Sequence, residues 1–223
     1  MVLSLENYYD LLPNLRYMAF SCVPTVSYFL SVKFYSLFHK PYTYARPGRK
    51  YIESSSKNMI SSSVANVFMS YPLFNYYSDI DSFSFYGLIL GIFIVDTLEY
   101  FFHYFFHYNN FFYNTLHCVH HKPYPMAPEV SFSNHDVEVL ITSPFILLLM
   151  VYLQMSFVEY ILVTAMSFVA TVSDHTITSK TKFHYIHHHV NKKTNLQQPF
   201  FTFWDHIFGT YNKTTSIKIP FIP

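Results

Sequence analysis

Residues 96–121 read DTLEYFFHYFFHYNNFFYNTLHCVHH, and no other stretch restricts the fold as strongly. His103 and His107 stand four apart, and His117, His120 and His121 follow in the spacing HxxHH. The same spacing returns at His184, His187 and His188. Side chains at i, i+3 and i+4 share one face of an α-helix, so each group is predicted to aim its imidazoles one way. Of the 13 histidines, all but His39 lie after residue 100. Scattered surface histidines would not segregate in this way. Neutral imidazole is a ligand for Fe, Zn, Cu and Ni. Eight such side chains are too many for one tetrahedral zinc, and a structural zinc would usually draw on cysteine. The spacing therefore predicts two metals with about four or five nitrogens each, leaving an open position for O2 chemistry.

The histidine run begins inside an apolar segment, FSFYGLILGIFIVDTLEYFF at 83–102. The chain is 51% hydrophobic, 21% aromatic and only 12% charged, where a soluble domain carries about a quarter charged residues. That balance predicts a polytopic membrane protein. Residues 1–16 lack the basic start and cleavage site of a signal peptide. Tyr17–Phe38 is apolar, with Pro24 and Lys33 as interruptions, and 39–58 reads as a basic polar loop. A weaker, Ser-rich span covers 59–77, and a short acidic turn follows at 78–82. The apolar run 139–172 is too long for one crossing of roughly 20 residues and slightly short for two. It is expected to form a helical hairpin turning near Gln154 and Glu159.

The predicted fold is all-α, with about four transmembrane helices and a cytosolic, histidine-rich di-metal cap. Residues 1–82 form an N-terminal membrane region and 83–223 the metal-binding domain. Lys and Arg concentrate in 39–58 and after both histidine groups, which places those segments in the cytosol. On that topology Asn212-Lys213-Thr214, a glycosylation acceptor pattern, faces the cytosol and is unused. A net charge of +1 without a basic stripe excludes a nucleic-acid partner. Two cysteines make no disulfide framework, and Cys118 is read as a small apolar filler.

His175, in SDHT, is a candidate ninth ligand, and His135, in SNHDVE, a candidate ligand or supporting residue. His39, His189 and His206 are read as outside the site. Carboxylates commonly orient metal-binding imidazoles. Asp96, which shares His103's helical face with Tyr100, is a candidate for this, with Asp174, Glu138 and Asp205.

The motifs DTxxYxxHxxxH, HxxHH, HxxHH and WDxxFGT, from Asp96 to Tyr211, resemble the fatty acid hydroxylase and sterol desaturase superfamily. Lys193-Thr194-Asn195 and QPFFTFWD at 198–205 are similar to segments of its sphinganine C4-hydroxylases. SNHDVE resembles their NxPVE region, with Asp136 at the proline position. The resemblance implies an endoplasmic-reticulum enzyme with two iron ions and O2 as co-substrate. Electrons would come from cytochrome b5 or its reductase, as a separate protein because no HPGG segment is present. The reaction implied is hydroxylation of sphinganine at C4. His103, His107, His117, His120, His121, His184, His187 and His188 carry over as ligands. His175 carries over from a DHxG segment, with Ile177 at the glycine position. Other departures are a short connection at 176–183, Tyr185 where the family has Asp, and a stretch from His188 to Asn195 about one residue short. The alternatives are a sterol C5-desaturase or C4-methyl sterol oxidase, and a non-catalytic membrane protein with a degenerate metal site.

Overall fold

A long apolar segment satisfies its own backbone hydrogen bonds most simply as a helix, and the long apolar segments among the described residues are helical. The structure, a computed structural model, describes residues 5–38, 47–77, 82–176, 182–197 and 200–212. Its helices are α1 (Leu5–Phe38), α2 (Arg49–Tyr77), α3 (Phe85–Tyr108), α4 (Asn110–Thr115), α5 (Asp136–Tyr152), α6 (Phe157–Asp174), α7 (Lys182–His189) and α8 (Phe203–Ile207). There is no strand among the described residues. Residues 39–46, 78–81 and 177–181 lie outside them, and with them His39, Ile177 and most of the short connection.

The first departure from expectation is α2. It starts at Arg49, so the second half of the predicted polar loop is helical. An Arg49–Glu53 pair at 2.7 Å supports the first turn. The polar residues that suggested a loop bind another part of the chain. Ser55 and Asn58 are fully buried. Asn58 Nδ2 donates to the carbonyls of Phe132 and Asn134, and Ser55 Oγ accepts from Phe132 N–H at 3.0 Å. The Lys57 ammonium reaches Asp136 at 2.6 Å. Polarity here is tertiary bonding.

The hairpin turns where the two polar residues suggested. Leu153–Ser156 separates α5 from α6, with Gln154 at φ 52. Ser156 and Glu159 form a reciprocal capping box at the start of α6. The Glu159 carboxylate also accepts from Ser84 N–H, at the cap of α3. Gly87 permits this, because a Cβ there would meet Glu159 Oε1 at 2.7 Å. One buried carboxylate thus ties the N-terminal ends of α3 and α6 side by side. Val95, Met155, Tyr160 and Val163 pack between them.

Both helices carry histidines at the opposite end. His103 and His175 each lie about 27 Å along their helix from its first residue, at 1.5 Å per residue. The hydrocarbon core of a bilayer is about 30 Å thick. α3 and α6 are the two described helices long and apolar enough to cross a membrane, so two of the four expected crossings meet that description. Their exposed faces are apolar: Phe85, Ile89, Phe93, Phe101 and Phe105 on α3, and Val158, Leu162, Met166 and Val169 on α6. The opposite face of α3 buries Asp96, Tyr100, His103 and His107. Apolar outside and polar inside is the pattern of a helix facing lipid.

Candidate metal centre

α3 supplies His103 and His107, four apart and buried on one face. Asn109 then stops the helix in an extended conformation, and its side chain accepts from Phe111 and Phe112 N–H to start α4. The first HxxHH is not α-helical, as its spacing had suggested. His117–Val119 is a 3-10 turn, with His120 N–H donating to His117 O at 3.0 Å. His175 caps α6. The second HxxHH lies on α7 as its spacing predicts.

Nine imidazoles fall into two groups. His103, His107, His117, His121 and His187 form one, and His120, His175, His184 and His188 the other. Within each group, one nitrogen per residue lies within 4.8 Å of all the others. Each HxxHH is split between the groups. The groups adjoin, with the His121 and His188 rings 4.4 Å apart. His107 Nε2 lies 3.1 Å from His121 Nε2, and His175 Nε2 lies 3.1 Å from His184 Nε2. Two nitrogens bound at about 2.1 Å to one metal would be about 3 Å apart at a right angle.

The ring orientations fit metal binding. His103 Nδ1 donates to Leu196 O at 2.7 Å, and His187 Nδ1 to Thr194 O at 2.9 Å. His175 Nδ1 donates to Thr171 O at 2.8 Å, and His117 Nδ1 meets Glu138 Oε1 at 2.7 Å. A carbonyl only accepts, so Nδ1 carries the proton and Nε2 is left as a lone-pair donor. The Nε2 atoms of His103, His117, His187 and His188 are buried with no hydrogen-bond partner. Buried polar atoms rarely stay unpaired, and a coordinated metal would satisfy all four. Burial holds His120, His121, His184 and His188 well below the ordinary histidine pKa. It lowers His175 to about 4 and His187 to about 3. These rings are neutral near pH 7, the form that binds metal.

Glu138 touches an imidazole directly, whereas Asp96 and Asp205 act through a backbone strap. Asp205 is fully buried and accepts from Leu196 and Gln197 N–H, each at 2.9 Å, and from Thr210 Oγ1 at 2.6 Å. Asp96 accepts from Phe200 N–H at 2.7 Å and from the Gln197 amide. Trp204 Nε1 donates to Thr97 Oγ1 at 3.0 Å. Asn195, at φ 55, holds the strap to Phe183 and Asn212 through its side chain. Asparagine tolerates that left-handed conformation better than most residues. The strap presents the Leu196 and Thr194 carbonyls to His103 and His187. Sequence reasoning singled out Asn195 and the WD pair by resemblance, and missed the carbonyls, which carry no side-chain signal.

The remaining candidates lie elsewhere. His135 Nδ1 accepts from Val137 N–H at the start of α5. Asp174 ends α6 outside both groups. His189 packs on Tyr124 and Tyr185, His206 stacks on Tyr211, and the Cys118 thiol donates to Asn114 O.

A cavity of ≈ 140 Å³ reaches the first group only. His103 and His117 stand in its wall, which continues along Phe106, Val95 and Tyr160 into the bundle.

The sequence profile of the fatty acid hydroxylase family matches residues 88–210, which hold both imidazole groups. The chain belongs to that family. It is 32% identical over 138 residues to the sphingolipid C4-hydroxylase of Schizosaccharomyces pombe, covering 53% of this chain and 45% of the relative. The Saccharomyces cerevisiae sphingolipid C4-hydroxylase is 32% identical over 149 residues, covering 60% and 43%. Sphinganine C4-monooxygenase 2 of Arabidopsis thaliana is 30% identical over 140 residues, covering 55% and 53%. The match thus spans about half the length of these relatives. No solved structure matches the chain. The family match begins within α3 and ends in the segment after α8, and α1 and α2 precede it.

Proposed function

We propose that this fatty acid hydroxylase is a membrane-embedded enzyme of sphingolipid biosynthesis that hydroxylates sphinganine at C4. The observation that carries this reading is the cavity, which runs from two metal-competent histidines into an apolar helical bundle. The nine grouped histidines would hold two iron ions, which when bound supply the O2 activation that an unactivated C–H bond requires. Overall, C–H, O2, two electrons and two protons give C–OH and water. The electrons come from cytochrome b5 or its reductase.

The protein's part is positional. Glu138 and the Leu196, Thr194 and Thr171 carbonyls fix four ring orientations. Burial keeps the rings outside the apolar spans unprotonated. The bundle admits an alkyl chain laterally from lipid and excludes water around the reacting carbon. Four crossings, with α5 and α6 as a hairpin, put both histidine groups on one side. The basic residues Lys122, Lys192 and Lys193 support a cytosolic face for that side, and the family resemblance supports the endoplasmic reticulum as the membrane. A hydroxylase whose ligands come from both ends of a 139–172 hairpin requires that return.

The test is expression in cells that lack their own sphinganine hydroxylase, followed by long-chain base analysis. A 4-hydroxylated base is expected. Its absence, with the protein present and iron bound, overturns the substrate assignment, and an altered sterol profile in the same cells would replace it.

A further inference from the structure

The cavity at the first histidine group is lined by two carboxylates, Glu99 and Glu138, and by no lysine or arginine. Glu99 lies one helical turn before His103, on the same side of α3. Glu138 is 3% exposed; its Oε1 meets His117, and its Oε2 is buried with no partner. Both side chains line the one cavity. The described lysine and arginine ion pairs lie elsewhere, at Arg49–Glu53 and Lys57–Asp136. A buried carboxylate without a counter-charge is unfavourable, and a plain alkyl chain entering the cavity would not relieve it. A cationic group would. Thr171 stands in the same wall, while the hydroxyls of Thr142 and Ser143 there already donate to Glu138 O and Asn66 Oδ1.

The dimensions agree with the proposed reaction. In a long-chain base, three bonds separate the C2 nitrogen from C4, so the two atoms are no more than about 4 Å apart. Neighbouring residues one turn apart on a helix have Cβ atoms about 5–6 Å apart. An ammonium held at Glu99 therefore allows C4 to reach His103 in the same cavity wall.

We propose that Glu99, with the free oxygen of Glu138, binds the ammonium group of the substrate and selects the free long-chain base over its N-acylated form. This rests on the sphingoid reading above. N-acylation removes the charge and adds bulk where the carboxylates stand, so a ceramide-type lipid gains nothing from them. Glu99 is then a specificity residue that need not contact a metal.

The experiment measures binding to the purified full chain in lipid nanodiscs, with sphinganine and N-acetylsphinganine as probes. The wild type is expected to bind sphinganine at least ten-fold more tightly. Glu99→Gln keeps size and polarity and removes the charge. It should weaken sphinganine binding at least ten-fold, leave N-acetylsphinganine binding and iron content unchanged, and Glu99→Asp should restore part of the preference. Equal affinity of the wild type for both lipids, or an undiminished preference in Glu99→Gln, overturns the proposal. Hexadecylamine against hexadecanol on the wild type tests ammonium recognition without any variant. A preference for the amine is expected, and none refutes it. A protein that shows the Glu99-dependent preference yet forms no 4-hydroxylated base would sink the reaction assignment alone.

Discussion

Asp205→Asn should release metal although Asp205 touches no imidazole. Its carboxylate accepts three hydrogen bonds at 2.9, 2.9 and 2.6 Å. The amide preserves shape but replaces one acceptor oxygen with an NH2 group. Whichever way it turns, hydrogens then face donors. A hydrogen bond to a charged group is worth about 1.5–3 kcal/mol, and an orphaned buried donor costs about 1–3 kcal/mol more. The loss of about 3–5 kcal/mol falls on the strap, while the helices retain their apolar packing. The Leu196 and Thr194 carbonyls then lose their fixed positions opposite His103 and His187. Removing such an orienting partner costs about 10–100-fold in metal affinity, and two are loosened together. Chelator competition on the purified protein should show at least a ten-fold weaker iron affinity. Amide hydrogen exchange over 194–212 should accelerate in parallel. Faster exchange with wild-type iron affinity would refute the argument, because the strap would then hold itself without holding the metal.

Three further outcomes follow from the same geometry. The metal-free protein should lose stability as pH falls below about 6.5. His175 and His187 sit near 4 and 3 in the fold, so the unfolded chain binds more protons in that window and stability is complete only above it; a circular-dichroism melting temperature that stays flat from pH 7 to 4 would contradict this. Replacing His120 and His121 together by alanine takes one ligand from each group, so iron content and activity should both collapse, whereas His135→Ala should leave iron content unchanged and cost at most about 1 kcal/mol as a lost helix cap. Asn195→Ala removes three side-chain hydrogen bonds at a positive φ and should cost about 2–4 kcal/mol, read as a lower thermal midpoint; no change would mean that the strap is held elsewhere.

The legible parts of this protein were those governed by local periodicity. His184, His187 and His188 share a face because α7 is a helix. The hairpin was legible because the apolar run at 139–172 exceeded one crossing and carried polar residues near its middle. The start of α2 was misread, because Ser55 and Asn58 look like loop residues until Phe132 and Asn134 are brought to them. The first HxxHH converges through a 3-10 turn instead of an α-helix, an outcome its spacing alone does not distinguish.

By itself the sequence determined which residue types could bind metal and that α3 and α6 could cross a membrane, since both depend on side-chain chemistry and short-range spacing. The tertiary structure alone decided how nine histidines divide, sending His120 to one group and its neighbours His117 and His121 to the other. It also decided that Glu138 would meet His117 directly while Asp96 and Asp205 would work through backbone carbonyls. Those pairings join residues more than 100 positions apart, as Asp96 and the Phe200 N–H are. Hydrogen bonds of that range exist only once packing has set the distance, and no local pattern encodes which carboxylate will find which donor.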